Sequence, residues 1–567
     1  MPPIQIILME KLKRSRWAPV LRAFYFAFSS PKEFIALFFD FIQTCYESSP
    51  LRESLKGNKK NITVNSKKIL LVSFGTVYST KLESILVSPM MLGGCSVLVF
   101  IRNRGTFLQR LYYRCFGIRK IIYGADIGVE MPSRNEIEAV KSKLLDACKS
   151  ICDLKDFEYR GINIGITLIT TIQRGEFIAN FDPSTPDNQK KILYKLNEVI
   201  RWVLVCEQLI SLEKPDVILM IEANDWNRPL VDVAINRKVD VIQMIQPNED
   251  DGLIFKRINS ETRGMHPNSI SKETLAKPLV DLDWERQLQD QFRKRYDGYW
   301  LLQSRNQPNV VKVDHAYINR ELQLDVKKKN AIIFSHILWD ANLFYGTDLF
   351  EGYADWLSCT IREAVNNTQV NWILKLHPAN LWKRKFENVQ GEYSEISLLK
   401  EQNLWPLPNH IKLLYPDSKI STDSLFVIAD YGVTVRGTVG VELPCFGVRT
   451  FTAGSGRYSG LGFTEDFNEK RDYLEALQNI QKYPPLDEGG VSLAKKHAYL
   501  LFCKRSWRFT SFKVSQGNLT EKNPLAYNIK LNTDFFKKKI ESPELRVWKA
   551  WFLDPSKPVE YLKDYVE

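Results

Sequence analysis

The stretch from Asp430 to Val448 reads DYGVTVRGTVGVELPCFGV. An apolar strand runs into a glycine turn, and a short helix follows, closed by Pro444 and Gly447. Gly437 and Gly440 let the backbone approach a ligand closely. Thr438 is a good helix N-cap, so free N–H groups and the helix dipole are expected to point at an anion. Arg436 and Glu442 flank that turn; the Glu442 carboxylate falls one turn into the helix, within reach of ribose hydroxyls. On residue type alone, a plain strand–turn–helix with a solvated Glu442 fits equally well.

A second stretch favours the ligand reading. The run WILKLHPAN (372–380) places Lys375, His377 and Asn380 at and just beyond the end of an apolar strand that Pro378 stops. Loops after the strands of a parallel sheet form the ligand edge, where a histidine N–H can donate to phosphate and balance a leaving phosphate or diphosphate. Taken by itself His377 also fits a structural role. The run FSHILWDAN (334–342) follows another strand and sends Ser335, His336, Asp340 and Asn342 toward the same edge. In GSGRYSGLG (454–462), Arg457 offers a planar fork suited to oxyanions. The glycine spacing is not the dinucleotide fingerprint, and the alternative is a plain surface loop.

Working outward, apolar runs alternate with helical patterns in two blocks. Ile69–Phe74, Ser96–Ile101, Lys120–Tyr123, Ile162–Thr170, Val217–Ile221 and Val239–Ile245 read as strands of the first. Ala331–Phe334, Val370–Leu376, Ile411–Leu414, Tyr431–Val435 and Val448–Thr452 read as strands of the second. The expected organisation is a basic, aromatic-rich helical extension (1–62), a first Rossmann-like domain (63–255), a polar connector (256–329), a second Rossmann-like domain (330–490) and a helical tail (491–567). The expected fold class is therefore α/β, with two Rossmann-like domains facing across a cleft. The length of 567 residues agrees with several units at roughly 150 residues each.

In the first block, Phe74, Gly75 and Thr76 end one strand and Glu222 to Asp225 end another. Glu222 or Asp225 is a candidate to take a proton from an attacking hydroxyl; helix capping by Asn224 or Asp225 ahead of Pro229 is the competing reading. The loop QPNEDDG (246–252) also falls at the cleft edge. Asp281 and Asp283 form an Asp-x-Asp pair, but in the polar connector rather than at a strand end, and read as solvated surface.

The formal charge of +12 suits a polyanionic partner, yet the basic clusters (Lys11, Lys13, Arg14, Arg16 and Arg22; Lys383–Lys385; Lys537–Lys539) lie in no recognisable nucleic-acid module, and nucleic acid is not expected. Nine dispersed cysteines, Cys148 and Cys152 among them, read as thiols of a reducing cytosol. No run approaches the roughly 20 apolar residues that span a bilayer, and no signal peptide is expected. The basic, aromatic first 45 residues suit either packing on the body or lying on an anionic membrane surface.

Lys-Leu-His-Pro followed by Arg-Gly-Thr-Val-Gly-Val-Glu and Gly447 resembles the bacterial capsule and surface-polysaccharide biosynthesis proteins, a set of GT-B glycosyltransferases that includes capsule Kdo transferases. The likeness covers roughly Ala331 to Leu477 and is only architectural before that. It implies a nucleotide-sugar donor (CMP-, UDP- or GDP-linked) whose phosphate meets His377, Gly437 and Thr438, with Glu442 on the ribose. It implies transfer to a glycan or lipid-linked glycan acceptor, without metal or further cofactor, by a cytoplasmic enzyme, with peripheral attachment to the inner face of the cytoplasmic membrane as a further expectation. Catalytic candidates are Glu222, Asp225 and His377; donor-binding candidates are His336, Asp340, Asn342, Lys375, His377, Arg436, Gly437, Thr438, Glu442 and Arg457. A nucleotide-sugar 2-epimerase and a non-catalytic glycan-binding scaffold are the alternatives.

Overall fold

A computed structural model describes residues 26–57, 66–103, 107–245, 250, 252–300, 305–517, 523–532 and 543–561. The basic clusters of residues 11–22 and 537–539, and most of the loop 246–252, lie outside the described residues.

Two helices open the described chain, α1 (Pro31–Glu47) and α2 (Ser49–Gly57). The first sheet follows with β1 (Lys68–Ser73), α3 (Val77–Leu92), β2 (Ser96–Ile101), α4 (Phe107–Cys115) and β3 (Lys120–Tyr123). Helices α5 (Gly165–Glu176) and α6 (Pro186–Glu213) precede β4 (Val217–Met220), α7 (Arg228–Asn236), β5 (Asp240–Ile245) and β6 (Gly252–Ile258). The five strands β3-β2-β1-β4-β5 are parallel, and β6 adds antiparallel to β5. Their Val, Ile and Leu side chains are buried on both faces, as expected of a parallel sheet covered by helices.

Helix α8 (Trp284–Tyr296) leads to the second sheet: β7 (Asn330–Phe334), α9 (Tyr353–Asn366), β8 (Asn371–Lys375), α10 (Asn380–Phe386), β9 (Ile411–Leu414), β10 (Tyr431–Thr434), the single turn α11 (Val439–Glu442), β11 (Arg449–Thr452) and β12 (Glu465–Asp466). All six strands are parallel, in the order β9-β8-β7-β10-β11-β12. The chain thus forms two Rossmann-like domains, and each sheet reverses strand order between its first and fourth strands. That switch point leaves a crevice at the carboxyl ends of the strands.

Three sequence expectations are corrected. Ile162–Thr170 is not a strand: only Ile162–Asn163 is extended, and α5 begins at Gly165. Residues Gly165 to Thr170 are buried around the whole helix, so the 3.6-residue alternation that would have marked a helix is lost. The tail 491–567 is not simply helical. After α12 (Glu488–Tyr499) the chain crosses back, adds β13 (Trp507–Arg508) antiparallel to β6, forms the hairpin β14 (Phe512–Gln516) and β15 (Tyr527–Leu531), and ends on α13 (Pro543–Leu553). Trp548 of α13 stacks on Phe255, 3.9 Å between centroids, and its indole N–H donates to the Leu86 carbonyl at 2.9 Å. The tail therefore completes the core of the first domain. Finally, the cysteines are not all thiols: Cys45 and Cys115 form a disulfide, with Cα atoms 5.0 Å apart, because α1 lies against α4. Cys148 is buried as expected, whereas Cys152 is exposed.

Candidate active site

At the switch point of the second sheet, β7 ends into Ser335 and His336, β8 into His377, and β10 into Arg436, Gly437 and Thr438. These residues wall two adjoining cavities of about 170 and 250 Å³ that share His336, His377, Gly437 and Thr438. Lys375, at the last position of β8, is 4% exposed and lines the smaller one. Its ammonium group has no hydrogen bond or ion pair among the described residues. Burial pushes its pKa down to about 8. A lysine so placed gains most from an anion entering the cavity.

His377 is held by its backbone N–H donating to Ser335 Oγ at 2.9 Å, while the Ala379 N–H donates to its Nδ1 at 3.2 Å. The neutral ring therefore carries its hydrogen on Nε2. Burial and the Lys375 charge press its pKa down to about 4, so at neutral pH His377 in the free protein is a neutral N–H donor. Behind it, the fully buried Glu395 carboxylate accepts from Asn380 Nδ2 at 2.8 Å and from Ser335 Oγ at 3.5 Å, which fixes the loop after β8.

His336 stacks on Tyr353 at 4.3 Å, and its Nε2 accepts the Val435 N–H at 3.3 Å. Arg457 donates to Thr438 Oγ1 at 3.3 Å and stands 3.2 Å from His266 Nε2. Thr438 is not an N-cap: it has helical dihedrals and makes no capping bond, and α11 is four residues long. The anion-facing elements at this turn are cationic side chains rather than a long helix dipole. Tyr458 donates to the Gly437 carbonyl at 2.9 Å and packs over Gly440, where any Cβ would fall 2.0 Å from its hydroxyl. That contact, rather than flexibility, explains Gly440.

Glu442 is buried, and its Oε1 lies 2.6 Å from Arg295 Nε on α8. It lines the smaller cavity, with a cation already beside it. Arg436 is paired with Asp348 and lines the larger cavity. Asp340 is paired with Lys383. Asn342 is not brought to these cavities: its side chain is buried and accepts the Tyr353 N–H at 3.0 Å, capping the entry to α9.

At the switch point of the first sheet, a cavity of about 740 Å³ is lined by Ser73, Arg102, Arg174, Glu222, Asp225 and Trp226 among others. Burial, with the neighbouring Asp225 charge, raises the Glu222 carboxyl to about 7. Asp225 is also raised by burial, with Arg174 opposing, and holds a left-handed φ of 48° that a non-glycine residue adopts only under tertiary constraint. Asn224 caps no helix with its side chain, and neither does Asp225. Arg174 joins the two cleft walls, 3.2 Å from Asp225 and 3.6 Å from Asp340.

Sequence reading missed Arg174, His266, Arg295, Tyr345 and Glu395, and took Lys383 only as part of a basic cluster. Arg174 lies on α5, just beyond the run Ile162–Thr170 that reads as a strand, and His266 and Arg295 lie in the expected connector. The Asp-x-Asp pair lies at the surface, as expected: Asp283 is exposed and pairs with Arg286 at 2.9 Å, and the half-buried Asp281 pairs with Lys504 at 2.5 Å. Among the described residues no cluster of three or more His, Cys, Asp or Glu suits a metal ion, and no helix is long and apolar enough to cross a membrane.

Among solved structures, the chain is similar to the beta Kdo 2,4 transferase of Thermosulfurimonas dismutans KpsC, with 14% identity, 58% of this chain and 88% of that one covered, and a TM-score of 0.34. It is similar to UDP-GlcNAc 2-epimerase from Neisseria meningitidis bound to UDP-GlcNAc at 12% identity, covering 76% and 95%, with a TM-score of 0.24. It is also similar to spinosyn rhamnosyltransferase SpnG complexed with thymidine diphosphate at 9% identity, covering 76% and 95%, with a TM-score of 0.23. No family model and no curated protein matches the sequence.

Proposed function

We propose that this chain is a GT-B glycosyltransferase that moves a sugar from a nucleotide donor to a growing bacterial surface polysaccharide. The observation that carries the reading is the buried Lys375 ammonium, without a hydrogen bond or ion pair among the described residues, in a cavity that also holds His377 and adjoins the one lined by Arg457; across the cleft, burial raises the Glu222 carboxyl to about 7. Lys375, His377 and Arg457 suit the phosphates of the donor. Glu222, with Asp225 tuning it, suits the proton of an acceptor hydroxyl lodged in the cavity of the first domain.

In the reaction the acceptor oxygen bonds to the anomeric carbon as the bond from that carbon to the phosphate oxygen breaks. Glu222 takes the hydroxyl proton, and the electron pair of the broken bond leaves on the phosphate oxygen, where Lys375 and Arg457 offset its charge. Arg174, bridging Asp225 and Asp340, draws the two walls together around the reacting atoms, and Lys383 holds Asp340 on the second-domain side.

The test is a thermal-shift panel of CMP, UDP, GDP and CDP, followed by turnover of the corresponding sugars with and without glycan acceptor. One nucleotide should stand out; at 100 times its dissociation constant it adds about 2.7 kcal/mol of stability. Transfer only with acceptor supports the proposal. Donor isomerisation without acceptor identifies an epimerase, and binding without turnover a scaffold.

A further inference from the structure

Helix α1 carries two apolar stripes where a surface helix ordinarily carries one. The inner stripe holds the helix to the body. Leu37 is buried, Phe41 meets the Tyr112 ring at 5.4 Å, and Asp40 accepts from Lys81 Nζ at 2.8 Å, Tyr112 OH at 2.7 Å and Asn528 Nδ2 at 2.7 Å. The disulfide between Cys45 and Cys115 and the Arg52 bond to the Cys115 carbonyl fasten the end of α1 and the start of α2.

The outer stripe is Ile35, Phe38, Phe39, Ile42 and Tyr46, spaced i, i+3, i+4, i+7 and i+11, and every one of them is 48–74% exposed. Phe28, in the turn of helix just before α1, extends the row and is 85% exposed. Isolated exposed apolar side chains are common, but a contiguous aromatic row on one rigid helix marks an interaction surface.

Charge decides the partner. Two of the three acids of α1 are engaged inward: Asp40 pairs with Lys81, and Glu47 is buried and accepts from Gln43 at 2.7 Å, while Glu33 is half-buried. Lys32, at the start of the same helix, is exposed, as are Lys56 on α2 and Arg114 on α4, against the exposed acid Glu53. The sequence leading into the helix adds Lys11, Lys13, Arg14, Arg16 and Arg22. An exposed row of Phe, Ile and Tyr on a helix preceded in sequence by this basic stretch matches the interface of an anionic bilayer, where aromatic bodies enter the acyl boundary and basic groups meet lipid phosphates. We infer that the outward face of α1 docks this protein on an anionic lipid surface. The inference rests on geometry remote from the cleft and does not depend on the chemistry proposed there.

The test is co-sedimentation of the full chain with vesicles of phosphatidylcholine alone and of equal parts phosphatidylcholine and phosphatidylglycerol. Binding is expected to the anionic vesicles, to weaken as salt rises, and to fall by about tenfold or more in I35S/F39S and in F38S/I42S. These positions face outward, so an unchanged thermal midpoint shows that each variant folds; having two pairs keeps the test decisive if one does not. Unchanged binding by both folded pairs overturns the inference, as does equal binding to neutral vesicles or no binding by the full chain. Loss of binding only on deleting residues 1–25 would move the contact to that segment and overturn it. A solution dimer broken by the same substitutions, without vesicle binding, would assign the ridge to a second copy and overturn it as well.

Discussion

Arg174 of the first domain and Asp340 of the second form an ion pair across the cleft, with 3.6 Å between Nη1 and Oδ1. The same guanidinium nitrogen lies 3.2 Å from Asp225, so one side chain touches both the carboxylate pair and the opposite wall. Closure of the cleft and ionisation of that pair are thereby coupled.

The pH profile of transfer should expose this coupling. Glu222 must be ionised to accept a proton, and its carboxyl is raised to about 7, so kcat/KM should climb with pH and level off above about 7. D225N removes a neighbouring negative charge that raises Glu222, so its limb should move to lower pH. R174Q removes a cation that favours ionised Asp225, so the carboxylate pair should titrate at higher pH, and R174K should restore most of the shift. E222Q should lose about 100-fold or more in kcat. Unmoved limbs in both D225N and R174Q would detach Arg174 from the chemistry.

Nucleotide affinity should report the Lys375 charge directly. In the free protein this lysine titrates at about 8, and a bound phosphate raises that value because it favours the charged form. Affinity is then flat below about pH 8 and falls as pH rises beyond it. K375M should weaken nucleotide binding by about 10- to 100-fold, from a charge-assisted hydrogen bond of about 1.5–3 kcal/mol, and should abolish that alkaline fall. Calorimetric titration across pH checks both.

Two glycines should respond oppositely to alanine. In Gly440→Ala the new Cβ meets the Tyr458 hydroxyl at 2.0 Å, forcing apart the contact that holds the Gly437 carbonyl. A loss of about 1–3 kcal/mol in stability and weaker nucleotide binding are expected. In Gly489→Ala, on α12, the nearest atom is 3.4 Å away, and stability should hold or rise by about 0.4–1 kcal/mol. Denaturant unfolding separates the two.

The Asp-x-Asp pair should prove dispensable. Asp281 and Asp283 pair with Lys504 and Arg286 at the surface, where solvent screens such pairs and they contribute little to stability. D281N and D283N should keep their transfer rate, and EDTA should leave wild-type activity intact. Loss on chelation with recovery by Mn²⁺ or Mg²⁺ would contradict the expectation.

What was legible in the sequence was what local physics writes there. The runs Ile69–Phe74 and Val370–Leu376 announce parallel strands because such strands are apolar on both faces, and Pro378 and Gly447 mark where elements stop. Strand ends in a parallel sheet converge on one edge, which is why Lys375, His377, Gly437 and Thr438, far apart in sequence, were read correctly as neighbours. The sequence by itself thus determined two α/β units, a ligand edge on the second, and the residue types lining it.

Tertiary structure alone decided which of those groups remain free. Lys375 has no hydrogen bond or ion pair among the described residues, while Asn342 is spent on Tyr353 and Glu442 faces Arg295, and nothing in their local sequence distinguishes the three. It also decided that Arg174 spans the cleft, that the chain's end completes the first core through Trp548 and Phe255, and that the aromatic row of α1 faces outward. Each of these turns on contacts between segments separated by tens to hundreds of residues. Such contacts are fixed by how faces are buried in the packed whole, and amino-acid spacing carries no record of them.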